Sequence, residues 1–74
     1  MTPNPDIRTP LSSSLLAAMQ YSPQATLDLE FRTGAVYRYF TVPRPVAQGL
    51  HAAASKGAYF NRYIKDCFPY RRLV

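Results

Sequence analysis

The chain has 74 residues, a formal net charge of +5 and 47% hydrophobic residues. A chain of this length forms one domain that buries about 60% of its unfolded surface, which leaves little volume for a deep substrate cavity. Its single cysteine and single histidine, Cys67 and His51, complete neither an internal disulfide nor a zinc site. No apolar run reaches the ~18 residues of a membrane span, and folding without disulfides suits a reducing compartment. We therefore expect a cytoplasmic protein with no cofactor and no membrane partner.

The positive charge is concentrated towards the C-terminus. Five of the nine Lys and Arg residues lie between Lys56 and Arg72, where Asp66 is the only acid. Such a cluster attracts polyanions through counterion release. Surface charge also serves solubility alone, so this feature leaves nucleic-acid binding as one of two interpretations.

The beginning of the chain contains one segment of ambiguous structure. Residues 1–10 hold three of the seven prolines and predict a flexible N-terminal arm. In the following segment, Leu11–Tyr21, three serines precede good helix formers and can cap a helix. The apolar residues that alternate from Leu15 to Tyr21 suit a strand equally well. Local propensity slightly favours the helix.

A β-hairpin is the clearest element of the sequence. After a turn at residues 22–25, apolar and polar residues alternate over Thr26–Arg32, which predicts a strand with one buried face. Gly34 then reverses the chain into a second strand within Ala35–Val42, a segment rich in aromatic and β-branched residues.

The hairpin turn determines which side chains share a face. A two-residue turn would need a positive φ at Thr33, which a β-branched residue resists, whereas a three-residue turn over residues 32–34 requires it only of Gly34. This register places two tyrosines on the apolar face and a cross-strand ion pair on the other. The expected pairs are Phe31–Ala35, Leu29–Tyr37, Asp28–Arg38 and Leu27–Tyr39.

Two helices are expected after the hairpin. Pro43 ends the strand, and Pro45 suits the first turn of a helix that Gly57 would end in a left-handed conformation. The apolar stripe of this first helix is Val46, Leu50, Ala53 and Ala54.

The second helix is expected over Ala58–Cys67, followed by Pro69 and a short basic tail. Its polar side carries Arg62, Lys65 and Asp66. Its apolar face is Phe60, Tyr63, Ile64 and Cys67.

Residues for catalysis are missing from the pattern. A nucleophilic mechanism needs an activated Ser or Cys beside a base, yet His51 lies in an Ala-rich helix. Cys67 is expected to be a small buried hydrophobe rather than a reactive thiol. We therefore expect no enzymatic activity.

Aromatic residues are interleaved with cations in two segments, residues 37–40 and residues 56–63. Aromatic rings stack on single-stranded bases and cationic side chains bind phosphates, a combination typical of RNA and single-stranded DNA binders. Tyrosines also supply core volume with their hydroxyls at the rim, which is the structural alternative. The candidate nucleic-acid-binding residues are Tyr37, Arg38, Tyr39, Lys56, Tyr59, Arg62, Lys65, Arg71 and Arg72.

Several motifs together resemble one known family. They are Ser13-Ser14, Tyr21, Leu27-Asp28-Leu29-Glu30-Phe31, Gly34, Tyr37-Arg38-Tyr39, Val42-Pro43 and Ser55-Lys56-Gly57-Ala58-Tyr59-Phe60-Asn61. This pattern resembles the KTSC domain family, which is named after a C-terminal extension of some lysyl-tRNA synthetases and also occurs as free-standing small bacterial proteins. The resemblance covers about residues 11–72, which leaves residues 1–10 as an arm and 73–74 as the C-terminal end.

The resemblance changes one structural expectation and adds a functional one. It implies that Leu15–Tyr21 is a strand, against the local propensity, and gives the order β-β-β-α-α. Its link to a tRNA synthetase implies RNA binding, and it brings no catalytic residues. Tyr37 and Tyr39 match the central motif of the family.

The sequence therefore predicts an α+β fold, a three-stranded antiparallel β-meander covered on one face by a helical hairpin. Its expected core is Leu27, Leu29, Phe31, Leu50, Phe60 and Ile64. The expected function is that of a non-enzymatic, monomeric nucleic-acid-binding domain, with RNA or tRNA favoured over DNA as the partner. The alternative is a protein–protein interaction module that uses an open sheet edge or an exposed aromatic patch.

Overall fold

The structure is a computed structural model that describes residues 9–74. It has an α+β fold, in which two helices accompany a five-stranded antiparallel sheet in the order β1-β2-β3-β4-β5. A short π-helical segment directly continues the second helix. The elements are β1 Thr9–Pro10, β2 Leu16–Ser22, β3 Thr26–Phe31, β4 Val36–Tyr39, α1 Arg44–Ala52, α2 Lys56–Tyr59, the π-helical segment Phe60–Ile64 and β5 Tyr70–Arg72.

The β3–β4 hairpin has the register that the turn chemistry predicts. The Phe31 N–H donates to the Ala35 carbonyl at 2.8 Å, and Gly34 adopts a φ of 95°. Only glycine takes this φ without steric cost, so Gly34 closes a three-residue turn. The observed pairs include Leu29 with Tyr37 and Leu27 with Tyr39, as expected.

The ambiguous first segment is a strand. β2 pairs with β3 along its length, and its side chains Leu16 and Met19 are buried. The strand implied by the family resemblance is therefore confirmed against the local helix propensity. Pairing with β3 and burial on the sheet outweigh a propensity difference of about half a kcal/mol per residue.

The expected three strands are an undercount. Thr9 and Pro10 pair with Met19 and Ala18, so the prediction of a flexible arm is wrong for these two residues, while the rest of that arm lies outside the described residues. The expected basic tail is also wrong, because Tyr70–Arg72 pairs with β4. Strands of two and three residues are too short for alternation to reveal them.

The core lies between the sheet and the helices. Five of the six expected core residues are buried, and Phe31 is half-buried and packs against them. The chain adds Leu16 and Val42, both fully buried, to this cluster. The five buried residues are Leu27, Leu29, Leu50, Phe60 and Ile64.

α1 is shorter than its apolar stripe predicted. Leu50 is buried as expected, but Ala47 rather than Val46 is the second buried residue. The helix ends at Ala52 because Ala53 has an extended backbone with ψ at 138°. The expected stripe is therefore wrong at Ala53 and Ala54, which lie beyond the helix.

Gly57 does not end α1. Ser55 caps the start of α2 by accepting a hydrogen bond from the Ala58 N–H at 3.3 Å, which places Gly57 inside α2. Among the glycines of residues 9–74, a left-handed φ occurs at Gly34. The serine therefore acts as an N-cap, the role for which its side chain is best suited.

The π-helical segment explains two further corrections. The Lys65 N–H bonds to the Phe60 carbonyl at 2.8 Å, five residues back, so each residue turns less about the axis than in an α-helix. Phe60 and Ile64 remain on the buried face, whereas Tyr63 rotates away from it and is 47% exposed. The segment ends at Ile64, and Cys67 beyond it is an exposed free thiol rather than a buried hydrophobe.

Candidate nucleic-acid interface

A groove lies on the helix-covered face of the sheet, between β4–β5 and the π-helical segment. Its volume is about 520 Å³. We call it the aromatic groove and define it by Tyr37, Tyr39, Phe60, Asn61, Lys65, Asp66, Tyr70 and Arg72.

The pairing of β4 with β5 assembles the aromatic side of the groove. Tyr37 lies opposite Arg72 and Tyr39 lies opposite Tyr70. Paired residues and alternate residues of antiparallel strands project to the same face, so these four side chains form one cluster. The Tyr70 ring centroid lies 5.6 Å from that of Tyr37 and 5.5 Å from that of Tyr39.

The tyrosines differ strongly in accessibility. Tyr39 is 4% exposed and forms the floor of the groove, whereas Tyr70 is 56% exposed at its rim. Burial, followed by the electrostatic influence of Tyr70, Tyr37 and Asp66, raises the pKa of the Tyr39 hydroxyl to about 12. Tyr70 therefore offers a ring surface for stacking, while Tyr39 supports the cluster from below.

Two of the expected cations reach this groove. The guanidinium carbon of Arg72 lies 5.9 Å from the centroid of the Tyr37 ring, and its Nε donates to the Val74 carbonyl at 2.9 Å. Lys65 is exposed and follows the π-helical segment directly. Arg72 thus places positive charge on an aromatic ring and Lys65 adds positive charge to the same groove, a combination typical of proteins that bind single-stranded nucleic acids.

Arg38 and Arg71 lie on the opposite face of the sheet. They are cross-strand partners of each other, and the Arg38 guanidinium donates to both carboxylate oxygens of Asp28, at 2.8 and 2.9 Å. This hydrogen bonding raises the pKa of Arg38. The expected ion pair is confirmed. Because the Arg38 guanidinium is bound to Asp28, it is less available for the phosphate contact that the sequence predicts for it.

The remaining expected residues do not line the aromatic groove. Lys56 donates through Nζ to the Ala53 carbonyl at 2.7 Å, in the connection between the helices. The Tyr59 hydroxyl donates to the Val46 carbonyl at 3.0 Å, and this bond joins α2 to α1. The Arg62 guanidinium lies 5.5 Å from the Tyr63 ring centroid on an exposed surface. The basic residues after Lys56 are therefore distributed over several surfaces rather than one.

Four groove residues are not among the expected binding residues: Phe60, which the sequence assigns to the core, and Tyr70, Asn61 and Asp66. The sequence does not indicate Tyr70 because residues 70–74 resemble a basic tail, whereas the structure shows that Tyr70–Arg72 forms β5. The alternation of Tyr70 with Arg72, two residues later, is the signal that pairs them once β5 is known. Asn61 and Asp66 depend on where the π-helical segment points, which no local pattern reveals.

His51 and Cys67 are two residues outside the groove whose side chains could supply catalytic or metal-binding chemistry. His51 on α1 and Cys67 are both exposed, and neither lines the aromatic groove. In residues 9–74 no three His, Cys, Asp or Glu side chains come together as they would around a metal ion. Within the same range, no helix has the length and apolar character needed to cross a membrane.

Comparison with known families gives one match that covers most of the chain. The model of the KTSC domain matches residues 12–68. A crystal structure of a KTSC domain protein from Yersinia pestis superimposes with a TM-score of 0.88 and 35% sequence identity, covering 92% of this chain and 97% of that one. The fold described above is therefore found in a solved structure.

Two relatives differ in how much of their length is similar to this chain. A lysine–tRNA ligase of Nostoc is 46% identical over 61 residues, which is 81% of this chain but 11% of the ligase. A protein of Stutzerimonas stutzeri is 46% identical over 59 residues, which is 78% of this chain and 83% of that protein. The same domain thus forms a small part of a ligase and most of a much shorter protein.

Proposed function

This chain belongs to the KTSC domain family, and on that premise we propose that it is a non-enzymatic RNA-binding domain whose ligand enters the aromatic groove. The observation that carries the proposal is the convergence of Tyr37, Tyr70, Lys65 and Arg72 in one groove. Bases stack on exposed aromatic rings, and Lys and Arg bind the adjoining phosphates. In this proposal the protein acts in the cytoplasm of a bacterium.

The geometry favours a single-stranded segment over a duplex. The Tyr70 ring is 56% exposed at the rim of the groove and rests against Tyr37, so an unpaired base can stack on its outer face. The Watson–Crick-paired bases of an A-form duplex are stacked within the helix and do not reach such rings. The similarity to a lysine–tRNA ligase supports RNA, and a single-stranded part of a tRNA is one ligand of this kind.

The proposal is tested by fluorescence anisotropy with labelled single-stranded RNA and matched DNA pools at low salt. We expect RNA to bind more tightly, with an affinity that declines steeply as salt rises because counterions are released on binding. The double variant Lys65→Glu with Arg72→Glu should abolish binding. The control Arg44→Glu reverses an exposed charge at the start of α1, outside the aromatic groove, and should retain RNA binding. It removes the contact of Arg44 with the Tyr21 ring at 5.6 Å, which an acid at the helix N-terminus offsets in part. No detectable binding by the wild-type protein would contradict the proposal.

A second candidate function is protein–protein association through the β5 edge. This interpretation is supported by apolar exposure at the end of the chain, since Tyr70, Leu73 and Val74 are 56%, 39% and 69% exposed. Exposed apolar residues beside an edge strand form a site to which another chain can add. Such association should tolerate salt and survive the Lys65→Glu and Arg72→Glu changes, whereas RNA binding should not.

A further inference from the structure

The aromatic groove contains a carboxylate that phosphate binding does not explain. Asp66 lines the groove beside Lys65, and its charge acts on the Tyr39 hydroxyl at the groove floor. No ion pair or hydrogen bond joins the Asp66 side chain to another side chain in residues 9–74. A carboxylate in this position repels phosphates and favours ligand groups that donate hydrogen bonds.

The backbone holds Asp66 in an uncommon conformation. Its φ is 63°, in the left-handed region, directly after the π-helical segment and Lys65. Asp and Asn occupy this region more readily than most residues, which makes Asp66 a suitable residue for this turn. The turn places adjacent side chains of opposite charge, Lys65 and Asp66, along the same groove.

From this arrangement we propose that the aromatic groove recognises a guanine base, with the Asp66 carboxylate accepting two hydrogen bonds from its Watson–Crick edge. The inference rests on the proposed RNA-binding function and adds the preferred base. Guanine presents two adjacent donors on that edge, N1–H and the 2-amino group, which match the two oxygens of a carboxylate. Adenine and cytosine each offer an amino group, and uracil offers one ring N–H, so each forms fewer donor contacts with Asp66.

The other groove residues have complementary roles in this arrangement. Tyr70, which is 56% exposed, stacks on one face of the base, while Lys65 and Arg72 neutralise the flanking phosphates. Asn61, exposed on the π-helical segment, supplies an amide that can both donate and accept hydrogen bonds. In this arrangement the cations of the groove bind the RNA phosphates, and the Asp66 carboxylate binds the base.

The test uses labelled uridine octamers that carry one central guanosine, inosine, adenosine, cytidine or uridine. We expect the guanosine octamer to bind about tenfold more tightly than the all-uridine octamer, the order of discrimination that a bidentate base contact provides. Inosine lacks the 2-amino group and should lose most of this preference. Asp66→Asn should bind all five octamers with similar affinity, and asparagine tolerates the left-handed backbone at this position.

A matched control separates base recognition from a general effect of charge. Glu30→Gln removes one acid from the opposite face of the sheet, since Glu30 alternates with the buried Leu29. This variant should retain the guanosine preference. If the octamers bind equally to the wild-type protein, or if Asp66→Asn keeps the preference, the guanine proposal is overturned while RNA binding stands. If no octamer and no mixed RNA pool binds, the proposed function itself is contradicted.

Discussion

Arg72 and Tyr37 are cross-strand partners on β5 and β4, and the guanidinium carbon of Arg72 lies 5.9 Å from the centroid of the Tyr37 ring. This pair joins the basic C-terminal segment to the tyrosine motif of the hairpin. Arg71, the preceding residue, projects to the opposite face of the sheet and lies opposite Arg38. The C-terminal strand therefore assigns its two arginines to different surfaces.

The first prediction compares these neighbouring arginines. Arg72→Gln should weaken RNA binding about 3- to 10-fold and reduce the slope of log affinity against log salt by about one, because one phosphate contact is lost. Arg71→Gln should change the affinity less than twofold. Both residues are exposed, so the free energy of unfolding of each variant should lie within about 0.5 kcal/mol of the wild-type value. Equal losses of affinity in the two variants would exclude the aromatic groove as the principal contact surface.

The second prediction concerns stacking on the most exposed groove tyrosine. Tyr70→Ala should cost about 1–3 kcal/mol of RNA-binding free energy, whereas Tyr70→Phe should retain most of the affinity because the ring remains. Tyr63→Ala is the matched control and should leave the RNA affinity unchanged, since Tyr63 is 47% exposed but does not line the groove. Anisotropy titrations measure all three variants. The stacking role would be refuted by an unchanged affinity in Tyr70→Ala.

The third prediction contrasts two helical glycines. A Cβ at Gly49 would overlap the Tyr59 hydroxyl, whereas a Cβ at Gly57 would meet Leu15 at 3.7 Å, an ordinary contact. Gly49→Ala should therefore lower the free energy of unfolding by about 1–3 kcal/mol because Tyr59 must move and loses its bond to Val46.

Gly57→Ala should instead be neutral or stabilise by up to about 1 kcal/mol, since alanine favours a helix interior. Urea denaturation of both variants measures the difference. A large destabilisation by Gly57→Ala would contradict its place inside α2.

The fourth prediction concerns alkaline pH. The pKa of Tyr39 is raised from 10.0 to about 12 in the folded state. Between these values the folded state binds more protons than the unfolded state, so the free energy of unfolding falls as pH rises. This contribution is fully present below pH 10 and is lost as pH rises through 12.

Tyrosinate absorbance in the ultraviolet should therefore show one late-titrating hydroxyl, which Tyr39→Phe removes. Tyr39→Phe should also reduce the decline of stability over this pH interval. If the variant retains the late titration, a different tyrosine is the source.

The fifth prediction concerns the Asp28–Arg38 ion pair. Arg38 is 43% exposed, and solvent screens such pairs, so their coupling is small despite two good hydrogen bonds. A double-mutant cycle with Asp28→Asn and Arg38→Gln, measured by urea denaturation, should give a coupling energy below about 1 kcal/mol. A coupling of several kcal/mol would show that the open face of the sheet stabilises the fold far more than its exposure suggests.

Local turn chemistry was sufficient to predict the hairpin, because Gly34 allows one register and Thr33 disfavours the other. β2 could be predicted only with the family resemblance, since its alanines and leucines suit a helix or a strand. β5 could not be predicted because three residues show too little alternation and depend on a partner strand distant in sequence. The sequence predicts four groove residues, Tyr37, Tyr39, Lys65 and Arg72. It does not predict Tyr70, because that residue joins the groove only through the β4–β5 pairing.

The corrections to the second helix share one physical cause. A helical pattern derived from α-helix periodicity places Tyr63 and Cys67 with Phe60, but the π-helical segment changes the rotation per residue and ends at Ile64. The sequence carries no local signal for that change. The sequence places Lys65 and Asp66 together on the polar side of the helix, but only the structure shows that both line the groove.

The central claim, that single-stranded RNA binds in the aromatic groove, is tested most directly by an NMR titration of the ¹⁵N-labelled protein with a short RNA and a matched DNA. We predict that shift changes with RNA are confined to Tyr37, Tyr39, Lys65, Tyr70 and Arg72 and their immediate neighbours, and that DNA gives weaker changes at the same residues. Shift changes centred on Arg38 and Arg71, or none at all with either nucleic acid, would contradict the account.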